Sequence, residues 1–157
     1  MATERRNADR AVSRSTDVAA PADRVFALVA DPHQHRLFDG SGSLRGTISG
    51  PRRLALGSRF GMRMRIGLPY RIANTVVEFE DDRLIAWRHF HGHRWRYQLE
   101  PLDDGRTRVT ETFDWSTARF PRALELFGAP RVNTTSIEET LPRLKQIAEA
   151  QTSRSTR

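Results

Sequence analysis

A chain of 157 residues that is 38% hydrophobic suits one domain with its own core. With no cysteine, no apolar run long enough to span a membrane as a helix and no apolar block at the N-terminus, a cytoplasmic protein is expected, without disulfides, thiolate metal sites, thiol nucleophiles or membrane insertion. The formal charge of +7 does not predict a nucleic-acid partner: residues 1–10 and 151–157 hold 5 basic and 2 acidic groups, which leaves 21 and 17 on residues 11–150, and no recognised binding motif accompanies them.

Residues 1–7 are expected to form a disordered tail ahead of a single domain over 8–150. "AVSRSTDVAA" alternates weakly and predicts a first strand. Pro21 marks a helix start, and Val25, Phe26, Leu28 and Val29 form the apolar stripe of a helix that ends at Asp31-Pro32. "HQHRLF" predicts a second short helix and "DGSGS" a loop. "RFGMRMRIG" then alternates, with Phe60, Met62, Met64 and Ile66 on one face and Arg59, Arg63 and Arg65 on the other. "YRIANTVVEF" is rich in strand formers, but both of its faces are partly apolar and its orientation stays open. "RLIAWRHF", "HRWRYQLEPL" and "TRVTETFDW" complete a meander. In "TTSIEETLPRLKQIAEA", Ile137, Leu141, Leu144 and Ile147 recur at helical spacing, Thr135 with Glu138 fits a capping box, and Pro142 predicts a kink. Residues 151–157 are expected to be a second disordered tail.

Two hairpins orient the side chains. With Asp103-Asp104-Gly105 as a three-residue loop, Leu99 faces Val109, Tyr97 faces Glu111 and Trp95 faces Phe113 on one side. Arg94 then meets Asp114, and Glu100 meets Arg108, on the other. In "HFHGHRW", a Phe90-His91-Gly92 loop sets Trp87 against Trp95, Ile85 against Tyr97 and His89 against His93. The same register opposes Arg88 to Arg94, a pair that Asp114 is expected to relieve. Two facing imidazoles fall short of the three protein ligands of a catalytic zinc site, so no metal is expected. His33 and His35 would add ligands only if the second helix folded over this turn, and their spacing of two puts them on different helix faces.

Glu111 falls on the inward face, where a carboxylate is costly unless partnered and where burial raises its pKa toward the range of acid–base chemistry. It either takes part in chemistry or sits in a polar patch or arginine pair of the lining. Met62 and Met64 fit either a plain core or an adaptable apolar pocket.

The "VAAPADRVFALVADP" helix and the strand pair "RWRYQLEPLDDGRTRVTETFDW", followed by a long C-terminal helix, resemble the START-like, helix-grip proteins. The likeness is to their polyketide cyclase/dehydrase and lipid-transport branch, abbreviated SRPBCC. Members commonly carry a tryptophan after the first helix, where this chain has Phe38 in "RLFDG". The resemblance implies an α+β fold in which a curved antiparallel sheet of six to seven strands wraps the C-terminal helix around an apolar cavity. It implies a hydrophobic small-molecule partner such as a lipid, polyketide or isoprenoid, and no cofactor.

Three functions follow. A binding module would line its cavity with Phe60, Met62, Met64, Trp87 and Trp95 from the first strands, and with Tyr97, Leu99, Val109 and Phe113 from the last; Tyr97, Glu111 and Asn74 would orient the ligand. A polyketide cyclase or dehydratase would use Glu111 as base, Tyr97 as donor and His89 as acid in the same space. An interaction domain would dock through its arginines. Oligomeric state is left open by the sequence.

Overall fold

The computed structural model describes residues 9–155, apart from the side chains at positions 45–47 and 66. The tail expected over 1–7 and the side chain of Ile66 therefore lie outside the described residues. Strand β1 (Ala11–Val18) leads into helix α1 (Ala22–Val29), a 3-10 turn (Pro32–Gln34) and the one-turn helix α2 (His35–Phe38). Six strands follow: β2 (Leu44–Ser49), β3 (Arg59–Ile66), β4 (Leu68–Glu80), β5 (Leu84–His89), β6 (Arg94–Pro101) and β7 (Thr107–Asp114). Helices α3 (Pro121–Leu126) and α4 (Ala129–Ser155) close the chain. The seven strands form one curved antiparallel sheet in the order β1-β7-β6-β5-β4-β3-β2. Consecutive strands β1 and β2 thus sit at opposite edges, and α1 and α2 make the passage between them.

Helix α1 buries Val25, Phe26, Leu28 and Val29, the stripe its sequence spaces for one face. Asp31 accepts the His33 amide at 3.0 Å and so caps the turn that follows. Helix α4 presents Ile137, Leu141, Leu144 and Ala148 to the sheet, three to four residues apart, while Ile147 is half-buried at the margin. The core is the layer between these helices and the inner face of the sheet.

Both hairpin registers read from sequence are present: Tyr97 pairs with Glu111, Trp95 with Phe113, and Trp87 with Trp95. Gly105 and Gly92 hold the left-handed positions of the two loops, at φ 75° and 97°.

Several details differ. Strand β2 falls in a stretch with no period-2 signal, because a register shift between Leu44 and Ile48 breaks the alternation. The two-faced apolar pattern of β4 has the same cause: a bulge between Val76 and Glu78 puts Asn74 and Val76 inward before it and Phe79 inward after it. Helix α4 starts at Ala129, so Thr135 and Glu138 form no capping box. Thr135 donates back to the Arg131 carbonyl, and Glu138 accepts from Arg14 at 2.9 Å. The helix passes through Pro142 and runs on to Ser155, so residues 151–155 are helical rather than a frayed tail. The hydroxyls of Thr152, Ser153 and Ser155 donate to carbonyls four residues back in this last stretch. The Arg88–Arg94 opposition exists, but Glu78 on β4, reaching across Ala86 of β5, takes the place expected of Asp114: it accepts from Arg96 at 2.6 Å and from Arg94 at 3.4 Å.

Candidate functional site

On the inner face, β6 and β7 bring Tyr97 and Glu111 side by side, both almost fully buried. The Tyr97 hydroxyl donates to Glu111 Oε1 at 2.7 Å, and Glu111 Oε2 is buried without a hydrogen-bond partner among the described residues. Arg14 is the register neighbour of Glu111 on β1, yet its guanidinium turns to Glu138 instead. The carboxyl is left without a counter-charge. Burial therefore pushes Glu111 up to about 8, and the Tyr97 hydrogen bond and the charge of Asp39 act as lesser influences of opposite sign. Tyr97 is itself pushed well above its ordinary value, first by burial and then by the Glu111 carboxylate.

These two groups adjoin an aromatic cluster. Trp87 lies 5.7 Å from Tyr97, 5.4 Å from Phe60 and 5.1 Å from His35, with the imidazole stacked on the indole. His35 sits on α2 with its Nε2 donating to the Val29 carbonyl at 2.8 Å, and burial lowers its pKa to about 4. Phe38, one turn along, packs on the same imidazole. Neither His35 nor Phe38 belongs to the set expected from sequence, because a four-residue helix offers no periodicity from which to read its buried face. His33, on the other side of the turn, donates to the Gly50 carbonyl at 3.2 Å.

The remaining expected residues divide. Leu99, Val109 and Phe113 are packed into the core, and Trp95 covers Phe113 at 5.0 Å while itself half-buried. Met62 is buried and Met64 half-buried beside edge strand β2. Asn74 is buried between Phe60 and His89 on neighbouring strands, and its amide nitrogen has no partner among the described residues. His89 stands apart from Tyr97 and Glu111: it stacks on His93 with centroids 4.4 Å apart and planes 15° from parallel. Burial, and then the neighbouring imidazoles, lower His89 to about 3 and His93 to about 4, so both are neutral at pH 7. Imidazole lone pairs lie in the ring plane, so stacked rings do not converge on one ion. Among the described residues no group of three or more His, Cys, Asp or Glu is placed to hold a metal.

The fold has known counterparts. A family model described as polyketide cyclase / dehydrase and lipid transport matches residues 9–149. The uncharacterized protein Rv0088 of Mycobacterium tuberculosis H37Rv is 46% identical over an alignment of 138 residues that covers 85% of this chain and 62% of that protein. The chain thus spans 62% of the length of the curated relatives it matches. Protein NE0264 from Nitrosomonas europaea superposes with a TM-score of 0.69 at 14% identity, covering 93% of this chain and 98% of that one. The Polyketide_cyc-like protein Cgl2372 from Corynebacterium glutamicum gives 0.61 at 22% identity, over 92% and 94%. Among the described residues no helix is long and apolar enough to cross a membrane. The extent of the family match, together with a seven-stranded sheet gripping one long helix, places this chain in the polyketide cyclase/dehydrase and lipid transport family of START-like proteins.

Proposed function

We propose that the chain binds a hydrophobic small molecule between the inner face of the sheet and α4, and that Glu111 anchors an oxygen of that molecule. The observation behind this reading is the unpartnered Glu111 Oε2 in an otherwise apolar, aromatic layer. With a pKa of about 8 the carboxyl is mostly protonated at pH 7. Because Tyr97 already donates to Oε1, the proton of Glu111 belongs on Oε2, which makes that atom a donor in need of an acceptor. The unpartnered Asn74 amide nitrogen is a second such donor. Two buried donors facing an apolar layer suit a lipid, polyketide or isoprenoid that bears carbonyl or hydroxyl oxygens, and the family description embraces such cargo.

Native mass spectrometry of the chain purified without added ligand tests the proposal. A bound apolar compound, released by organic solvent and lost or exchanged in Glu111→Gln, is expected. A ligand-free mass, together with unchanged Trp87 and Trp95 fluorescence on titration with lipids and poly-keto mimics, would sink it.

One observation favours catalysis as a second reading. A neutral carboxyl beside a phenol is poised to protonate a departing hydroxyl in a cyclase or dehydratase step. His89, two cross-strand rows away and engaged with His93, does not join it. Turnover of a poly-keto mimic that vanishes in Glu111→Gln while ligand affinity persists would favour this reading over simple carriage.

A further inference from the structure

The opposite face of the same sheet carries a concave site. At the end of β3–β6 nearest the "HFHGHRW" turn lies a groove of about 490 Å³, lined by Arg59, Arg88, Arg94 and Arg119 with Thr75 and Thr117 between them. Arg59, Thr75, Arg88 and Arg94 are successive partners in one cross-strand row, since Arg59 pairs with Thr75, Thr75 with Arg88, and Arg88 with Arg94. With neighbouring strands about 4.8 Å apart, the row sets three guanidinium stems across about 14 Å.

Like charges directly opposite one another weaken a sheet, and carboxylates normally interrupt such a row. Here they do so poorly. Among the described residues Arg59 and Arg88 have no acidic partner, and Arg119 lies over the Phe120 ring at 5.4 Å. Arg94 reaches Glu78 only at 3.4 Å, because Arg96 holds that carboxylate at 2.6 Å, and Arg94 Nε is buried without a partner.

The wall of the groove is built rather than loose. The Thr117 hydroxyl donates to the Gly92 carbonyl, and the Arg119 amide donates to the His91 carbonyl, each at 2.8 Å. The turn and the 117–119 segment touch so closely that a Cβ on Gly92 would stand 2.6 Å from the Thr117 oxygen. Arg119 therefore hangs from a fixed hairpin tip, facing the row.

We propose that this outer groove is a binding site for a small soluble oligophosphate, clamped by Arg59, Arg88, Arg94 and Arg119. Guanidinium forks pair with phosphate oxygens two at a time, and several forks spread along a row match a ligand with more than one phosphate. The Thr75 hydroxyl adds a neutral donor, while that of Thr117 is committed to the Gly92 carbonyl. The volume lies in the range of small-molecule pockets, and among the lining residues Phe90 is the one large exposed apolar side chain, with the exposed Phe120 ring beneath Arg119 beside it.

Calorimetric titration of the full chain with sodium pyrophosphate at low ionic strength should give saturable, one-to-one binding. Arg88→Gln and Arg119→Gln should each weaken it about tenfold, the effect of removing a charged hydrogen-bonding partner. Arg53→Gln removes the same charge at a residue paired with Asp81, outside the groove lining, and should leave affinity within about twofold. Arg88→Gln relieves the opposition to Arg94, so its Tm should not fall. Should it fold poorly by circular dichroism, Arg88→Lys keeps the charge, loses the fork, and should still weaken binding about threefold. Absence of saturable binding, an equal loss in Arg53→Gln, or binding confined to phosphatidylglycerol vesicles or duplex DNA would overturn the proposal.

Discussion

Glu111 shows what one buried carboxyl does to the behaviour of a whole chain with pH. Below its ordinary value of 4.5, folded and unfolded chains both carry the proton. Between 4.5 and about 8 only the unfolded chain releases it, so stability declines by about 1.4 kcal/mol per pH unit, and above about 8 the decline stops. Histidines act in the other direction. His35, His89 and His93 fall from 6.5 to about 4, 3 and 4, so their contribution is complete above pH 6.5 and is lost as pH drops through those values. Urea denaturation across pH 4 to 9 should therefore show a maximum near pH 6.5. Glu111→Gln should flatten the alkaline side and steepen the rise between pH 4.5 and 6.5, where the carboxyl opposes the histidines; an identical alkaline slope in the variant would mean that the carboxyl is solvated. The Tyr97–Glu111 pair was legible in the sequence because a three-residue glycine loop sets the register two strands at a time. The imidazole stacked on Trp87 was not, since nothing local assigns a face to a single helical turn.

Among the elements, the loop after α2 approaches helix α4 backbone to backbone. A Cβ at Gly40 would lie 2.4 Å from the Ser136 carbonyl oxygen and 2.6 Å from the Thr140 amide nitrogen. The Gly40 amide also donates to the Thr140 hydroxyl at 2.9 Å. Backbone cannot swing aside as a side-chain tip can, so Gly40→Ala should cost about 2–3 kcal/mol in urea denaturation. A loss below about 0.5 kcal/mol would mean that the loop shifts freely, against the close packing argued here. This same loop carries Asp39, whose charge reaches Glu111, so the variant should also move the alkaline limb of the pH profile. Strands with an unbroken alternation, β3 above all, were readable from sequence. Strand β2 and the orientation of β4 were not, because one extra residue inverts the period on which the reading relies.

At the scale of the molecule, the resemblance carried by two sequence blocks specified a curved antiparallel sheet wrapped on the C-terminal helix, but not which strands become its edges. Length and charge were poorer guides. The composition shows an arginine excess without saying that four of those arginines meet in one groove, because that depends on four strands pairing in one register.

Pro142 gives the long helix a seam. It has no amide hydrogen for the Glu138 carbonyl, so the 27-residue helix lacks one rung. The stretch after the seam is tied to the first strand and its exit: Lys145 donates to the Asp17 carbonyl at 2.6 Å, and Glu149 accepts the Ala19 amide at 2.8 Å. The stretch before it is tied to the loop after α2 at Thr140 and to the first strand only through the exposed Arg14–Glu138 pair. Deuterium uptake should therefore be faster at amides 129–141 than at 143–150, and bound cargo should slow the former selectively. Under the proposed binding reading, cargo would enter where the helix begins, with its far half serving as the jamb.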